Sequence, residues 1–263
     1  MQGEARTSSM AIRRTQGTAA SGLLLIDVSN SFTKVAVARN GRIGRVRRIP
    51  TSSLAKEDFS SLKADLAVVA SVVPRVNSLI ASALPCPPLW VDHRVPGGVT
   101  VSYPEPSTIG ADRLANAAAA VSLGAVPSIV VDFGTAVTFD VIDGRGRYCG
   151  GVIAPGIPTA AAALHERTAL LPLATVRSIT RPVGRSTGEA IRIGILLGAV
   201  GLVRETVARI TSVQFRGRKP TVLATGGDAA LVDRLCRSGG RVFDRVDPLL
   251  TLRGLLAIAE KNL

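Results

Sequence analysis

The chain has 263 residues, 46% of them hydrophobic, which is enough apolar material for a sizeable core and excludes a disordered protein. Its formal net charge is +13, but the basic residues are dispersed and aromatics make up only 3%, so the composition argues against a nucleic-acid-binding module with stacking platforms. The most apolar stretch, IGILLGAVGLV at 193–203, lies between two arginines and is far shorter than the roughly 20 residues that cross a bilayer, so no membrane segment is expected.

In chain order, residues 1–21 mix small, polar and basic types and read as a flexible N-terminal tail rather than a secretory signal. Strand-like runs come next at 23–27, 34–38 and 67–72, with a dense basic run, RIGRVRR at 42–48, that reads as a solvated face. Helical spacing marks 76–84 and 111–124; strands return at 129–132 and 137–142. A long apolar helix at 188–210, a strand at 221–224 and helices at 228–239 and 251–262 complete the pattern. Gly194, Gly198 and Gly201 in the long helix mark either tight packing inside the subunit or a face that meets a second subunit. Strands alternating with helices predict an α/β architecture. Cys86, Cys149 and Cys236 are sparse, odd in number and lack CxxC spacing, which suits a reducing, cytoplasmic setting.

An internal duplication organises the chain. LLLIDVSNSFTKVAVARNGR at 23–42 and SIVVDFGTAVTFDVIDGRGR at 128–147 align without gaps, placing Asp27 on Asp132, Ser29 on Gly134, Thr33 on Thr138 and Gly41 on Gly146. Each copy is a buried strand ending in aspartate, a turn of small residues and a second strand. Two such halves facing one another would present acidic, small-residue turns to a shared cleft, where backbone N–H groups can approach a polyphosphate and the aspartates can hold a cation. The halves are expected at 22–115 and 116–263, and the cleft reads as a nucleotide site.

The segments IDVSNS, GADRLANAAAA, VVDFGTAVTFDVID, GGVIAPG, GRSTGEA, ATGG and VDPLLTLRGL occur in the order seen in type III pantothenate kinases, which the chain resembles over 23–263. The resemblance implies duplicated ribonuclease H-like halves of the actin-like ATPase and sugar kinase type, with mixed sheets flanked by helices and a cleft between the halves. It implies phosphorylation of pantothenate by ATP, with Mg2+ and a monovalent cation such as K+ or NH4+, in a cytoplasmic homodimer.

Position by position, Asp27, Val28, Ser29, Asn30, Ser31, Phe32, Thr33 and Lys34 resemble the first phosphate-binding loop, with Asp27 near the magnesium. Thr135, Gly226 and Gly227 resemble further ATP contacts, and Asp132 resembles the monovalent-cation ligand. Gly110, Ala111, Asp112 and Arg113 resemble the pantothenate site, with Asp112 as the catalytic base; Tyr103 and Thr187 resemble further substrate contacts. A carboxylate beside the acceptor hydroxyl suits phosphoryl transfer, which asks for a proton acceptor and precise positioning. Arg113 either pairs with the carboxylate of pantothenate or positions Asp112. Ser29, which stands where the second copy has glycine, leaves open a catalytically impaired member acting as a regulatory or binding protein.

Two other patterns carry less. GRSTG at 184–188 fits a hydrolase nucleophile elbow, but His93 and His165 both precede it, whereas the triad order needs a histidine after the serine. GRGRYCG at 144–150 lacks a dinucleotide fingerprint's strand-to-helix setting and reads as a hairpin turn. The histidines show no zinc spacing.

Overall fold

The computed structural model describes residues 22–263; the expected N-terminal tail at 1–21 lies outside the described residues. The elements in order are β1 (Leu23–Val28), β2 (Phe32–Arg39), β3 (Arg42–Ile43), β4 (Arg47–Pro50), β5 (Leu66–Ser71), α1 (Asn77–Ala83), β6 (Pro88–Trp90) and β7 (Thr100–Val101). They continue with α2 (Ala111–Ser122), β8 (Ser128–Phe133), β9 (Ala136–Ile142), β10 (Arg147–Pro155), α3 (Ile157–Glu166) and α4 (Thr187–Gln214). The chain closes with β11 (Thr221–Gly226), α5 (Ala229–Cys236), β12 (Arg245–Val246) and α6 (Leu250–Lys261).

The duplication seen in the hairpins extends to the whole topology. The first sheet runs β3-β2-β1-β5-β6 with β4 beside β2, and the second runs β12-β11-β8-β9-β10-β7. In each, an antiparallel hairpin (β1 with β2, β8 with β9) is extended on one side by two parallel strands, β5 and β6 or β11 and β12. This is the repeated ribonuclease H-like half expected from the sequence. β1 and β8 are covered on both faces, which is why they read as near-continuous apolar runs rather than alternating ones.

The pairing register corrects the ungapped alignment. Asp27 pairs with Lys34, whereas Asp132 pairs with Thr138, so the first turn holds one residue more than the second. The copies therefore match at offset 105 in the first strand but slip by one residue in the second, and Thr33 corresponds to Val137 rather than Thr138. Ser29 N–H donates to the Phe32 carbonyl at 3.1 Å, while Gly134 N–H donates to Ala136 at 2.9 Å, the shorter turn. The far end of the first hairpin is an Asn-Gly turn, with Asn40 at φ 50° and Gly41 at φ 71°.

α2 and α6 form the layer between the two sheets. Their alanine and leucine side chains share one core with Leu25 and Val68 from the first sheet and Val130 and Leu223 from the second. The helices touch at Gly254, where a Cβ would overlap the Ala115 carbonyl. Residue 115, the expected boundary between halves, thus falls inside α2, and the C-terminal α6 packs back onto β1 and β5. The outer face of the first sheet is covered around Phe59 and Ile80, and that of the second by α3, α4 and α5. Among the described residues no helix is long and apolar enough to cross a membrane.

Candidate active site

The ends of β1, β8 and β11 meet in a cleft of 290 Å³ whose walls include Asp27, Ser31, Lys34, Asp132, Thr135 and Gly226. It forms because both strands that end in aspartate run toward the same edge and their turns face each other. The contact between the two copies is direct: the Ser31 and Thr135 hydroxyls lie 3.1 Å apart. Asp27, 2% exposed, is held from both sides, accepting from the Ser29 hydroxyl at 3.3 Å and pairing with Lys34 Nζ at 3.2 Å. The second turn is fixed from below by α3, since Gly156 N–H and the Thr159 hydroxyl both donate to the Thr135 carbonyl, at 2.9 and 2.6 Å.

Asp132 is positioned by a chain of side-chain hydrogen bonds. Thr251 of α6 donates to Asn116 Oδ1 at 2.9 Å, and Asn116 of α2 donates to Asp132 Oδ2 at 3.0 Å. Burial raises the Asp132 carboxyl above its usual range, against the pull of Asn116 and Lys34. Gly226 closes on its other oxygen: a Cβ there would lie 2.6 Å from Asp132 Oδ1, and its φ of 93° further favours glycine. Gly227 and Asp228 continue the cleft wall.

Asp112 lies in the first turn of α2, as expected from the sequence. Its Oδ1 accepts the Arg113 N–H at 2.8 Å, and the preceding Gly110 makes room for it, because a Cβ at 110 would stand 2.6 Å from that oxygen. Burial pushes the Asp112 carboxyl up to about 6, with the charges of Asp132 and Asp27 adding to the rise. Three carboxylates close enough to perturb one another, with Lys34 paired to one, leave negative charge for a bound cation to offset. Among the described residues no three or more His, Cys, Asp or Glu side chains form a closed metal cage. That donor set fits Mg2+ carried in largely on phosphate oxygens and water, with one or two carboxylates of the protein.

Arg113 points elsewhere. Its Nε donates to Asp140 Oδ1 at 2.7 Å, and the Tyr148 hydroxyl donates to the same oxygen at 3.1 Å. Asp140 is fully enclosed, and burial drives its carboxyl up to about 7 against the pull of Arg113. Arg113 Nη2 and Asp140 Oδ2 are both buried without a hydrogen-bond partner. Tyr103 stands edge-on to Tyr148 with ring centres 6.2 Å apart, and its ring rests on Gly150. Tyr103, Tyr148, Arg113 and Asp140 therefore form one contiguous cluster next to Asp112, with Tyr148 and Asp140 fully buried and Tyr103 at the surface. Of the two roles read for Arg113, its backbone supports Asp112, while its guanidinium is turned onto the enclosed Asp140.

Not every expected residue reaches the cleft. Val28 is buried in the core, and Thr33 is buried with its hydroxyl 3.0 Å from that of Thr51, so neither side chain lines it. Asn30 is exposed outside the cleft wall, and Ala111 packs in the core between the sheets. Thr187 is exposed at the start of α4 and is not brought to the other site residues; the Ser186 and Glu189 around it cap the helix instead. Conversely, the cleft contains Arg48 and Asp228, and the neighbouring buried cluster contains Asp140 and Tyr148, none of which the sequence alone singled out. The available signal in the sequence was an acid inside the apolar run VTFDVI, which demands a buried partner; Arg48 is singled out only by its pairing with Lys34 across β4 and β2.

Residues 23–209 match the family model of type III pantothenate kinases. The type III pantothenate kinase of Akkermansia muciniphila is 44% identical over 247 residues, covering 91% of this chain and 99% of that protein. Among solved structures, a Campylobacter jejuni protein described as a Baf family transcriptional activator superposes with a TM-score of 0.58 at 19% identity, covering 91% of this chain and 98% of that one. A Listeria monocytogenes protein described as an N-acetylmannosamine kinase superposes at 0.52 and 10% identity, covering 92% and 100%. At those identities the two structures show a shared fold alone.

Proposed function

The chain belongs to the type III pantothenate kinase family, and on that premise we propose how its residues carry the γ-phosphoryl group of ATP to the hydroxyl of pantothenate. The reaction yields 4'-phosphopantothenate and ADP, the first step towards coenzyme A. The observation that carries the residue assignment is Asp112, a carboxylate at a helix start with room made by Gly110, beside a cleft built from two turns of small residues.

In this mechanism ATP lies along the cleft with its phosphates between the turns at Ser29–Ser31 and Gly134–Thr135. Those turns supply backbone N–H groups and the Ser31 and Thr135 hydroxyls, which exchange their mutual contact for the phosphate oxygens. Asp112 accepts the proton of the pantothenate hydroxyl as its oxygen bonds to the γ-phosphorus and the bond from that phosphorus to the ADP oxygen breaks. A carboxyl near 6 is mostly ionised at neutral pH yet remains a stronger base than an ordinary aspartate. The Arg113 guanidinium, held by Asp140 with 13% of the side chain exposed, draws the carboxylate of pantothenate by its charge, and Tyr103, 38% exposed, stands in the same cluster. Magnesium, when bound, neutralises the phosphate oxygens near Asp27. A monovalent cation fits beside Asp132, whose Oδ2 is fixed by Asn116 while Oδ1 faces the β11 turn.

The expected homodimer is supported by an uncovered face. A Cβ at Gly194, Gly198 or Gly201 of α4 would meet no neighbour within 4 Å inside the chain, and α3 and α4 border an apolar groove of 820 Å³. Leu197 and Ile153 are 46% and 63% exposed nearby, a surface suited to a second copy. Free, unpaired Cys86, Cys149 and Cys236 accord with a cytoplasmic setting. Purified protein should release ADP only when ATP and pantothenate are both present. ADP release that is independent of pantothenate, or absent across several divalent and monovalent cations, would overturn the assignment.

A further inference from the structure

We propose that Arg48 is a phosphate-binding residue for the nucleotide, presented to the cleft by the Phe32 ring. The proposal rests on the reading of the cleft as the nucleotide site and adds a residue from the basic run at 42–48. The Arg48 guanidinium carbon stands 3.6 Å from the centre of the Phe32 ring, and both residues line the cleft with Asp27, Lys34 and Asp228. Stacking on an aromatic face leaves the in-plane N–H groups of a guanidinium free, and these match the geometry of a phosphate in bidentate fashion.

The charge balance of the cleft points the same way. Its two side-chain cations among the described residues are Lys34 and Arg48, and Lys34 is already paired with Asp27 at 3.2 Å. Arg48 forms no ion pair among the described residues, although its charge is felt by Asp228 in the same cleft. A polyphosphate entering this acidic cleft therefore finds one uncommitted side-chain cation, at the mouth and beside the first turn. Position explains how it gets there: Arg48 pairs in register with Lys34 across β4 and β2, so both side chains rise from the same face of the sheet edge. The neighbouring Arg47 is turned the other way, onto Asp58.

The test uses the full chain and two readouts. Calorimetric binding of ATP and of inorganic tripolyphosphate is measured for wild type, Arg48→Ala, Arg48→Lys and Phe32→Leu, alongside the KM for ATP and for pantothenate. Arg48→Ala should weaken ATP and tripolyphosphate binding by about 10- to 100-fold, the loss expected for a charge-assisted bidentate contact, with the KM for pantothenate unchanged. Arg48→Lys should recover only part of the loss, and Phe32→Leu should weaken binding by a smaller factor. Tripolyphosphate binding by Arg48→Ala within about threefold of wild type, or equal losses for ATP and pantothenate, would overturn the proposal. Because polyphosphate binding needs no turnover, a protein that binds ATP through Arg48 but leaves pantothenate untouched would refute the kinase reading and spare this one.

Discussion

Asp112→Asn separates the chemistry of the site from the stability of the fold. In the folded chain burial and two neighbouring aspartates push the Asp112 carboxyl from 3.8 up to about 6. At roughly 1.4 kcal/mol per pH unit, that gap means the ionised carboxylate destabilises the fold by about 3 kcal/mol above pH 6, or about 1–2 kcal/mol once its partial contact with solvent is counted. The sign is set by the direction of the shift: a raised carboxyl costs stability when it is ionised, and the cost fades as pH falls from the folded value toward the unfolded one. Asparagine is neutral and can still accept the Arg113 N–H, so Asp112→Asn should unfold about 2–8 °C higher than wild type at pH 8. The gain should shrink to a minor fraction by pH 4.5, and turnover should drop by about 10²- to 10⁴-fold. Thermal unfolding of the nucleotide-free proteins at both pH values measures the first effect and steady-state kinetics the second. A melting temperature that does not rise at pH 8, or a gain that is the same at both pH values, would refute the electrostatic account of Asp112.

Wild-type kcat/KM for pantothenate should fall with a one-proton slope as pH drops below about 6, and a flat profile from pH 8 to pH 5 would dissociate Asp112 from proton transfer. Asp140→Asn keeps a hydrogen-bond acceptor but removes the counter-charge of Arg113. It should raise the KM for pantothenate by about 10-fold or more while the KM for ATP stays put, and equal changes in both would contradict a positioning role. Gly226→Ala places a Cβ against Asp132 Oδ1 at a φ of 93°, so it should cost at least about 1–2 kcal/mol in denaturant unfolding and weaken ATP binding. Ser29→Gly should change turnover by less than about threefold, because among the described residues Asn40 and Arg216 are the non-glycine positions with positive φ and Ser29 is not one of them. A large rise in turnover would show that the serine impairs the loop.

The duplicated hairpins were legible because each opens with a fully buried strand that ends abruptly in aspartate, a pattern that survives without context. The turns after those strands were less legible: a one-residue difference in turn length is invisible to an ungapped alignment, and only the pairing of Asp27 with Lys34 and Asp132 with Thr138 exposes it. β10 escaped because Gly150 and Gly151 interrupt its apolar run and a register shift lies between Tyr148 and Gly150. α3 escaped because it begins Ile-Pro and continues in alanines, which carry little amphipathic signal. In the site, Asp112 and Gly110 could be read from their place at a helix start, whereas Asp140 and Arg48 could not be assigned without tertiary pairing. Arg48 sits in a run of arginines whose other members face solvent or Asp58, and composition alone treats them alike. Thr187, legible only by resemblance, lies apart from the cleft within one chain.

The central claim is that this cleft transfers phosphate to pantothenate with Asp112 as the base. It is tested most directly by following ATP and pantothenate with purified protein, Mg2+ and K+ by 31P NMR at pH 8. The account predicts a phosphomonoester signal from 4'-phosphopantothenate growing in step with ADP for wild type and nearly absent for Asp112→Asn. Inorganic phosphate in place of the ester, or equal ester formation by both proteins, would contradict it.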